Sequence, residues 1–222
     1  LLGIGAMGVA VVGLHHRSLT YGATTQSAGP VFALPTRALL GVALLVFVVL
    51  LSEGAVSNWS AVYLRNGLGA SASVAALGYA SFSLTMAIGR FYGDRLTHRF
   101  GPRRVVQAGG LFAATGLGGG VWIGHPTAAL VGFGLMGLGY ATLIPVLFRT
   151  AAQTPGLAPG TSLAAVASVG YLGLFAGPPA LGGLADAWGI AWVMGLLAAL
   201  SALVAFNAHW VLPSGQPVPS DA

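Results

Sequence analysis

The run Ala38-Leu-Leu-Gly-Val-Ala-Leu-Leu-Val-Phe-Val-Val-Leu-Leu-Ser52 carries no charge and leads directly into Glu53, followed by Gly54-Ala-Val-Ser-Asn58-Trp59. A carboxylate placed in hydrocarbon costs several kcal/mol unless it stays protonated or finds a partner, so an acid inside such a run marks a candidate functional site. The stretch predicts a membrane-spanning helix with chemistry in its interior.

Composition extends that reading to the whole chain. Of 222 residues, 56% are hydrophobic and 6% charged, and the mean hydropathy is +0.85. A soluble globule normally has about 25% charged residues to clothe it, so this chain needs lipid as solvent. The 35 glycines would weaken soluble helices, but between membrane helices small residues let backbones approach closely. Lysine is absent, all nine basic residues are Arg, and five of them fall within 90–104 at the end of an apolar run instead of forming an extended stripe. That pattern excludes a nucleic-acid-binding stripe. With no cysteine there is neither disulfide, thiolate nor iron–sulfur chemistry.

Crossing about 30 Å of hydrocarbon takes roughly 20 helical residues. Runs of that kind lie near 38–62, 72–93, 104–124, 127–150, 161–183 and 188–212. Residues 1–14 read as a seventh, cut short: no initiator Met or basic segment precedes them, and they end in His15-His16-Arg17. They resemble the exit of a truncated helix more than a signal peptide, and predict that the chain is a fragment. Short cytoplasmic loops carry the positive excess. Arg95, Arg99, Arg103 and Arg104 therefore go inside, Arg17, Arg37 and Arg149 fall inside with them, and Arg65 alone falls outside. Trp59, Tyr63, Trp122 and Trp188 then lie at the outer interface, where amphipathic aromatics collect.

A weak internal repeat runs through these spans. One copy ends Gly89-Arg-Phe-Tyr-Gly93-Asp94 and leads to Gly101; the other ends Gly182-Gly-Leu-Ala-Asp186 and leads to Gly189. Three crossings per copy turn the second upside down relative to the first, as in the inverted repeats of secondary transporters. Asp94 and Asp186 fall on opposite sides of the membrane, so they cannot form an aspartyl dyad. No nucleophile and base stand at motif spacing either, which argues against an enzyme.

The segment Gly89-Arg90-Phe-Tyr-Gly93-Asp94-Arg95-Leu-Thr-His-Arg99-Phe-Gly101-Pro-Arg103-Arg104 is the most specific motif. Asp94 falls at the end of the predicted span, where the helix macrodipole disfavours negative charge. It needs a partner: Arg90 one turn back, a loop Arg or another helix's N-terminus. A carboxylate so held can act as a latch; the plainer alternative is positive-inside decoration with a weak i, i+4 pair.

This Gly-bracketed Asp-Arg arrangement resembles the cytoplasmic signature loop of the major facilitator superfamily. Ser52-Glu53-Gly54-Ala-Val-Ser-Asn58-Trp59-Ser60-Ala-Val-Tyr63-Leu64 is similar to the seventh helix of bacterial facilitators in the fucose-permease-like branch, and Gly177-Pro178-Pro179-Ala-Leu-Gly-Gly-Leu-Ala-Asp186 to the end of their eleventh. Asn58 departs from relatives that carry Asp there, leaving Glu53 without a second acid. The resemblance implies an all-α membrane protein, one six-helix half of a twelve-helix fold built as a 3+3 inverted repeat. Residues 1–14 would then be the tail of helix six, 15–37 a cytoplasmic linker, 38–212 the carboxy-terminal half and 213–222 a disordered cytoplasmic tail. It also implies residence in the bacterial inner membrane, and solute transport by alternating access as a symporter or antiporter. The expected partners are a small-molecule solute, protons, the lipid bilayer and the missing amino-terminal half, with no nucleic acid. A non-transporting sensor on the same scaffold is the competing reading.

Glu53 follows Arg37 by sixteen residues, roughly 24 Å of helix at 1.5 Å per residue, which puts it in the outer half. It could carry a coupling proton, bind a substrate hydroxyl or cation, or simply meet water. Asn58 and Trp59 share its helix. Tyr79, Ser83 and Met86 recur at helical spacing and could line a pathway, as could Tyr140, Thr142, Ser168 and Tyr171, although each alone is more often packing. Pro145 and Pro178-Pro179 should bend or end their helices. Gly132-Phe-Gly134-Leu-Met-Gly137 matches the dinucleotide fingerprint but lies in an apolar span with no preceding strand, so it predicts close helix packing. Gly116, Gly120 and Gly124 read the same way. The five His residues show no metal-ligand spacing, and no cofactor is expected.

Overall fold

A computed structural model describes residues 35–212. The expected truncated helix at 1–14, most of the linker at 15–37 and the tail at 213–222 lie outside the described residues. Among those described, every regular element is helical. Helix α1 spans Arg37–Val62 and passes into a π-helical turn at Tyr63–Gly67; α2 is Ala72–Phe100 and α3 is Pro102–Ile123. A fourth crossing is split into α4, Pro126–Tyr140, and α5, Leu143–Ala152; α6 is Pro159–Trp188 and α7 is Ile190–Val211. Five of the six crossings are long and apolar enough to span a bilayer. The other, α3, has the same 22 residues as α7, but Gly109, Gly110, Gly116, Gly118, Gly119 and Gly120 dilute its hydropathy.

Local chemistry sets the helix ends. Ser71 caps α2 by accepting the Val74 N–H at 3.3 Å, and α3, α4 and α6 each begin with a proline whose fixed φ suits the first helical position. Helix α2 runs past the expected limit at residue 93 to Phe100, because nothing before Gly101-Pro102 breaks it. Asp94 is therefore inside the helix, not at its end, and the macrodipole argument for a partner loses its basis.

The repeat is visible in the backbone. Helices of 29 and 22 residues, α2 and α3, meet at Gly101 (φ 81°, ψ 157°); helices of 30 and 22 residues, α6 and α7, meet at Gly189 (φ 89°, ψ 151°). Both joints lie at positive φ, which glycine adopts without a Cβ penalty. The packing follows the same symmetry in part: α1 lies chiefly against α6, its counterpart α4 packs against α2, and α3 packs against α7, but α4 also lies against α3, more extensively than against α2.

Small residues set these distances. A Cβ on Gly109, Gly139, Gly116 or Gly132 would run into the facing backbone of α3 or α4. Gly132 and Gly137 of the dinucleotide-like motif thus serve helix contact, Gly137 against the Phe82 carbonyl of α2. Two hydroxyls stitch α2 to α4: Ser81 Oγ donates to Leu130 O at 2.8 Å and Thr85 Oγ1 to Gly134 O at 2.7 Å. Interhelical hydrogen bonds in membrane proteins are worth about 0.6 kcal/mol on average. Thr85→Val should lower stability by about that amount in reversible denaturation; a loss several times larger would mean the hydroxyl has a further role.

Tyr63 departs from the expected interfacial position. Tyr63 continues the α1 helix on the face of Val56 and Ser60, and it is buried edge-on against Phe133 with ring centroids 6.4 Å apart. Trp122 and Trp188 are exposed at the ends of α3 and α6. Pro145 follows the break between α4 and α5, where its missing N–H and its ring disfavour a continuous helix. Pro178 and Pro179, by contrast, lie inside an uninterrupted α6.

Candidate functional site

Glu53 lies two-thirds along α1 and is half-buried. The next residue, Gly54, packs so closely on α6 that a Cβ there would be 3.0 Å from Leu174 O. That carbonyl is the one left without its i+4 donor by Pro178, so the absence of a side chain at Gly54 brings α1 onto a freed acceptor. Arg90 of α2 supplies an opposite charge that acts on Glu53 without forming a salt bridge with it. Arg90 is itself exposed and reaches back to Met86 Sδ at 3.3 Å.

A buried polar string adjoins this pair. Tyr140 of α4 shares a 2.8 Å hydrogen bond with Ser201 of α7, and Ser201 Oγ donates at 2.8 Å to Leu197 O. Ser52, next to Glu53 and fully buried, lies beside the Tyr140 hydroxyl without completing a hydrogen bond by distance and angle. Glu53 is also close enough to act electrostatically on Tyr140. Helices α1, α2, α4 and α7 thus bring Ser52, Glu53, Arg90, Tyr140 and Ser201 to one place in an otherwise apolar bundle. Ser52 and Ser201 are the members of this string that sequence reasoning missed; Ser52 adjoins Glu53 in the sequence, and Ser201 is the sole hydroxyl within the apolar α7.

The other expected pathway residues do not converge on Glu53. Asn58 is exposed and donates to Gly54 O of its own helix at 2.7 Å. Trp59 packs against Gly182 of α6, its Nε1 buried without a partner. Tyr79 stacks on Phe82 at 6.0 Å, and Ser83 bonds to Ala80 O of its own helix. Tyr171 lies beside Phe175 and is 50% exposed. Tyr79 and Ser83 of α2 and Tyr171 of α6 stay clear of the polar string, and so do Asn58 and Trp59 of α1.

At the arginine-rich end, Gly89 and Gly93 let α2 touch the α4–α5 junction. A Cβ on each would come within 2.7 Å of Ala141 and Thr142 respectively. Beside that contact a cavity of about 310 Å³ is lined by Arg90, Asp94, Thr97, Pro145 and Arg149 among others. Asp94 pairs across it with Arg149 at 3.4 Å, the one salt bridge among the described residues. Arg149, in the last turn of α5, was among neither the expected partners nor the expected gate residues. Arg95, Arg103 and Arg104 carry no acid partner among the described residues, and Gly101 is the joint described above. With side chains 80% and 51% exposed, the Asp94–Arg149 pair is screened and worth about 0–1 kcal/mol. Asp94→Asn should therefore shift the unfolding free energy of this chain by less than about 1 kcal/mol in a denaturant titration; a larger loss would mean that the pair is shielded from water. Asp186, its counterpart in the second copy, is exposed and unpaired among the described residues.

Comparison with known proteins places this geometry. Residues 42–222 match the Major Facilitator Superfamily model. The chain is 34% identical to an uncharacterized MFS-type transporter of Yersinia pestis over 196 residues, 88% of this chain and 51% of that protein. It is 33% identical to the membrane protein MosC of Rhizobium meliloti over 186 residues, 82% of this chain and 45% of that one. It thus spans about half the length of the curated relatives it matches. Among solved structures, the peptide transporter POT in complex with alafosfalin superposes with a TM-score of 0.70 at 19% identity, covering 85% of this chain and 42% of that one. The same transporter in complex with sulfate gives 0.67 at 20% identity, with 85% and 40% covered.

Proposed function

Because this chain belongs to the Major Facilitator Superfamily, we propose that it forms the carboxy-terminal half of a twelve-helix secondary transporter, moving a small solute by alternating access with proton coupling at Glu53. The observation that carries this reading is one half-buried acid, Glu53, next to the buried Ser52 and within electrostatic reach of Arg90 and Tyr140. Protonation would cancel the attraction of Glu53 for Arg90 and loosen α1 from α2. An ion that binds one conformation better than the other shifts their populations by that difference, which is the requirement for coupling. Asn58, Trp59, Tyr79, Ser83 and Tyr171 supply further polar and aromatic groups for the solute.

Broad apolar faces on α2 and α6, including Leu84, Phe91, Leu172 and Phe175, support docking against a second six-helix half. The Ser52–Leu64 and Gly177–Asp186 blocks favour the fucose-permease-like branch. The arginine distribution supports a bacterial inner-membrane orientation with the carboxy terminus in the cytoplasm. In the assembled transporter the Asp94–Arg149 pair would latch that side, so Asp94→Asn should raise cysteine labelling from the cytoplasmic side and leave solute affinity alone. Unchanged labelling with weakened affinity would move Asp94 to the binding site.

The central experiment compares sealed proteoliposomes holding this chain alone with others holding it together with an amino-terminal half, using a panel of labelled sugars, amino acids and short peptides. Saturable uptake is expected only from the pair. Robust uptake by the chain alone, shown by crosslinking to be monomeric, would overturn the half-transporter reading.

A further inference from the structure

A second concavity adjoins the Asp94 cavity, Thr142 lining both. Helices α2 and α3 are joined by Gly101 alone, yet touch little beyond that joint, and α4 floors the gap between them. The resulting groove encloses about 480 Å³, within the range of sites that hold small apolar ligands. Its floor is bare where Gly109 and Gly139 meet, and its walls are Tyr92, Leu96, Phe100 and Phe112, each more than 40% exposed. One charged side chain lines it: Arg104, exposed and without an acid partner among the described residues.

We propose that this groove holds an anionic phospholipid, one acyl chain lying along Leu96, Phe100 and Phe112 and the phosphate on Arg104. The inference rests on the reading of the bundle as membrane-spanning and on charge complementarity at one end of an apolar slot. Arg99 and Arg103 adjoin the lining residues Phe100 and Arg104 in the sequence, Arg99 with its guanidinium 5.4 Å from the centre of the Phe100 ring. The nearby acid, Asp94, is engaged by Arg149 in the other cavity and leaves this positive charge uncompensated. A free phosphate would satisfy Arg104 but leave the apolar volume unfilled. A zwitterionic lipid would fill the volume but bring its own cation to the arginines. Only an anionic lipid matches both parts, and basic residues near a bilayer surface are drawn to such headgroups.

The test uses the full 222-residue chain in detergent, titrated with phosphatidylglycerol or phosphatidylcholine and read by native mass spectrometry. Phosphatidylglycerol should be retained preferentially. Arg104→Gln should weaken its binding about fivefold, the scale of one basic residue at an anionic surface, and Arg104→Lys should restore most of it. Arg37→Gln, an equal charge loss elsewhere on the basic side, should leave it unchanged. Ala108→Trp, which fills the groove from α3, should also weaken retention. Equal retention of the two lipids, or equal loss with Arg37→Gln, would overturn the proposal. So would full competition by inorganic phosphate, or unaltered binding in Ala108→Trp, since either reduces the site to a headgroup on arginines. A dimer that Ala108→Trp dissolves, with no lipid adduct, would seat a second copy there instead.

Discussion

Glu53→Gln in the assembled transporter should abolish solute accumulation driven by a pH gradient while leaving counterflow exchange intact. Glutamine keeps the size and the hydrogen-bonding edge of a protonated glutamic acid but cannot release a proton, so it holds the site permanently in the neutral state. Its field on Arg90 vanishes, and the cycle no longer has a charged form to return through. Exchange needs no net proton movement and should persist at near wild-type rate. If Glu53 instead grips the solute, Gln should weaken binding and exchange falls with accumulation. Wild-type behaviour in both assays would reduce Glu53 to a residue that merely meets water. Measuring uptake against an imposed gradient and exchange at equal pH, on the same proteoliposomes, separates these three outcomes.

Gly137→Val should be the most damaging single change to the fold. The first atom of the new side chain would sit on the Phe82 carbonyl oxygen, a backbone atom that cannot rotate away. Helix α2 would have to withdraw from α4, weakening the Ser81–Leu130 and Thr85–Gly134 hydrogen bonds together. Overpacking of this kind typically costs about 1–3 kcal/mol, and two interhelical hydrogen bonds add about 1 kcal/mol. Against a total stability of about 5–15 kcal/mol, the variant should show a sharply lower thermal midpoint in detergent and a large aggregated fraction on size exclusion. Gly183→Ala is the matched control. It is exposed in α6 with nothing within 4 Å of the added carbon, so its midpoint should hold or rise. Equal behaviour of the two variants would disprove the close α2–α4 contact.

What the sequence made legible was the part carried by hydrocarbon and by small residues. Six apolar runs lie close to the six crossings, and the glycines of 132–137 behave as packing surfaces. Helix limits failed where polarity was mistaken for irregularity: Arg95-Leu-Thr-His-Arg99 reads as a loop because it is charged, yet none of those residues breaks a helix. Tyr63 reads as an interfacial aromatic by residue type, yet it stands seven residues after the buried Val56, on the same face of α1, so helical spacing turns it into the bundle. In the candidate site, Glu53 stood out because an isolated acid in lipid is costly. Its surroundings did not, since the contacts between Asp94 and Arg149 and between Tyr140 and Ser201 join residues more than fifty positions apart. Pairings of that range are decided by helix packing, and a single sequence does not encode them in its spacing.

The glycine joints at Gly101 and Gly189 bear on mechanics. A loop of several residues would act as a slack tether, absorbing the motion of one helix before the next one felt it. With one residue, only two torsions separate the axes of α2 and α3, and likewise those of α6 and α7. Each pair is a bent lever: a tilt at the Asp94 end of α2 is handed to α3 and, through the bare contact of Gly109 with Gly139, to α4. The half is thereby stiff in bending and turns as a body, and a two-residue insertion at either joint would give that lever play.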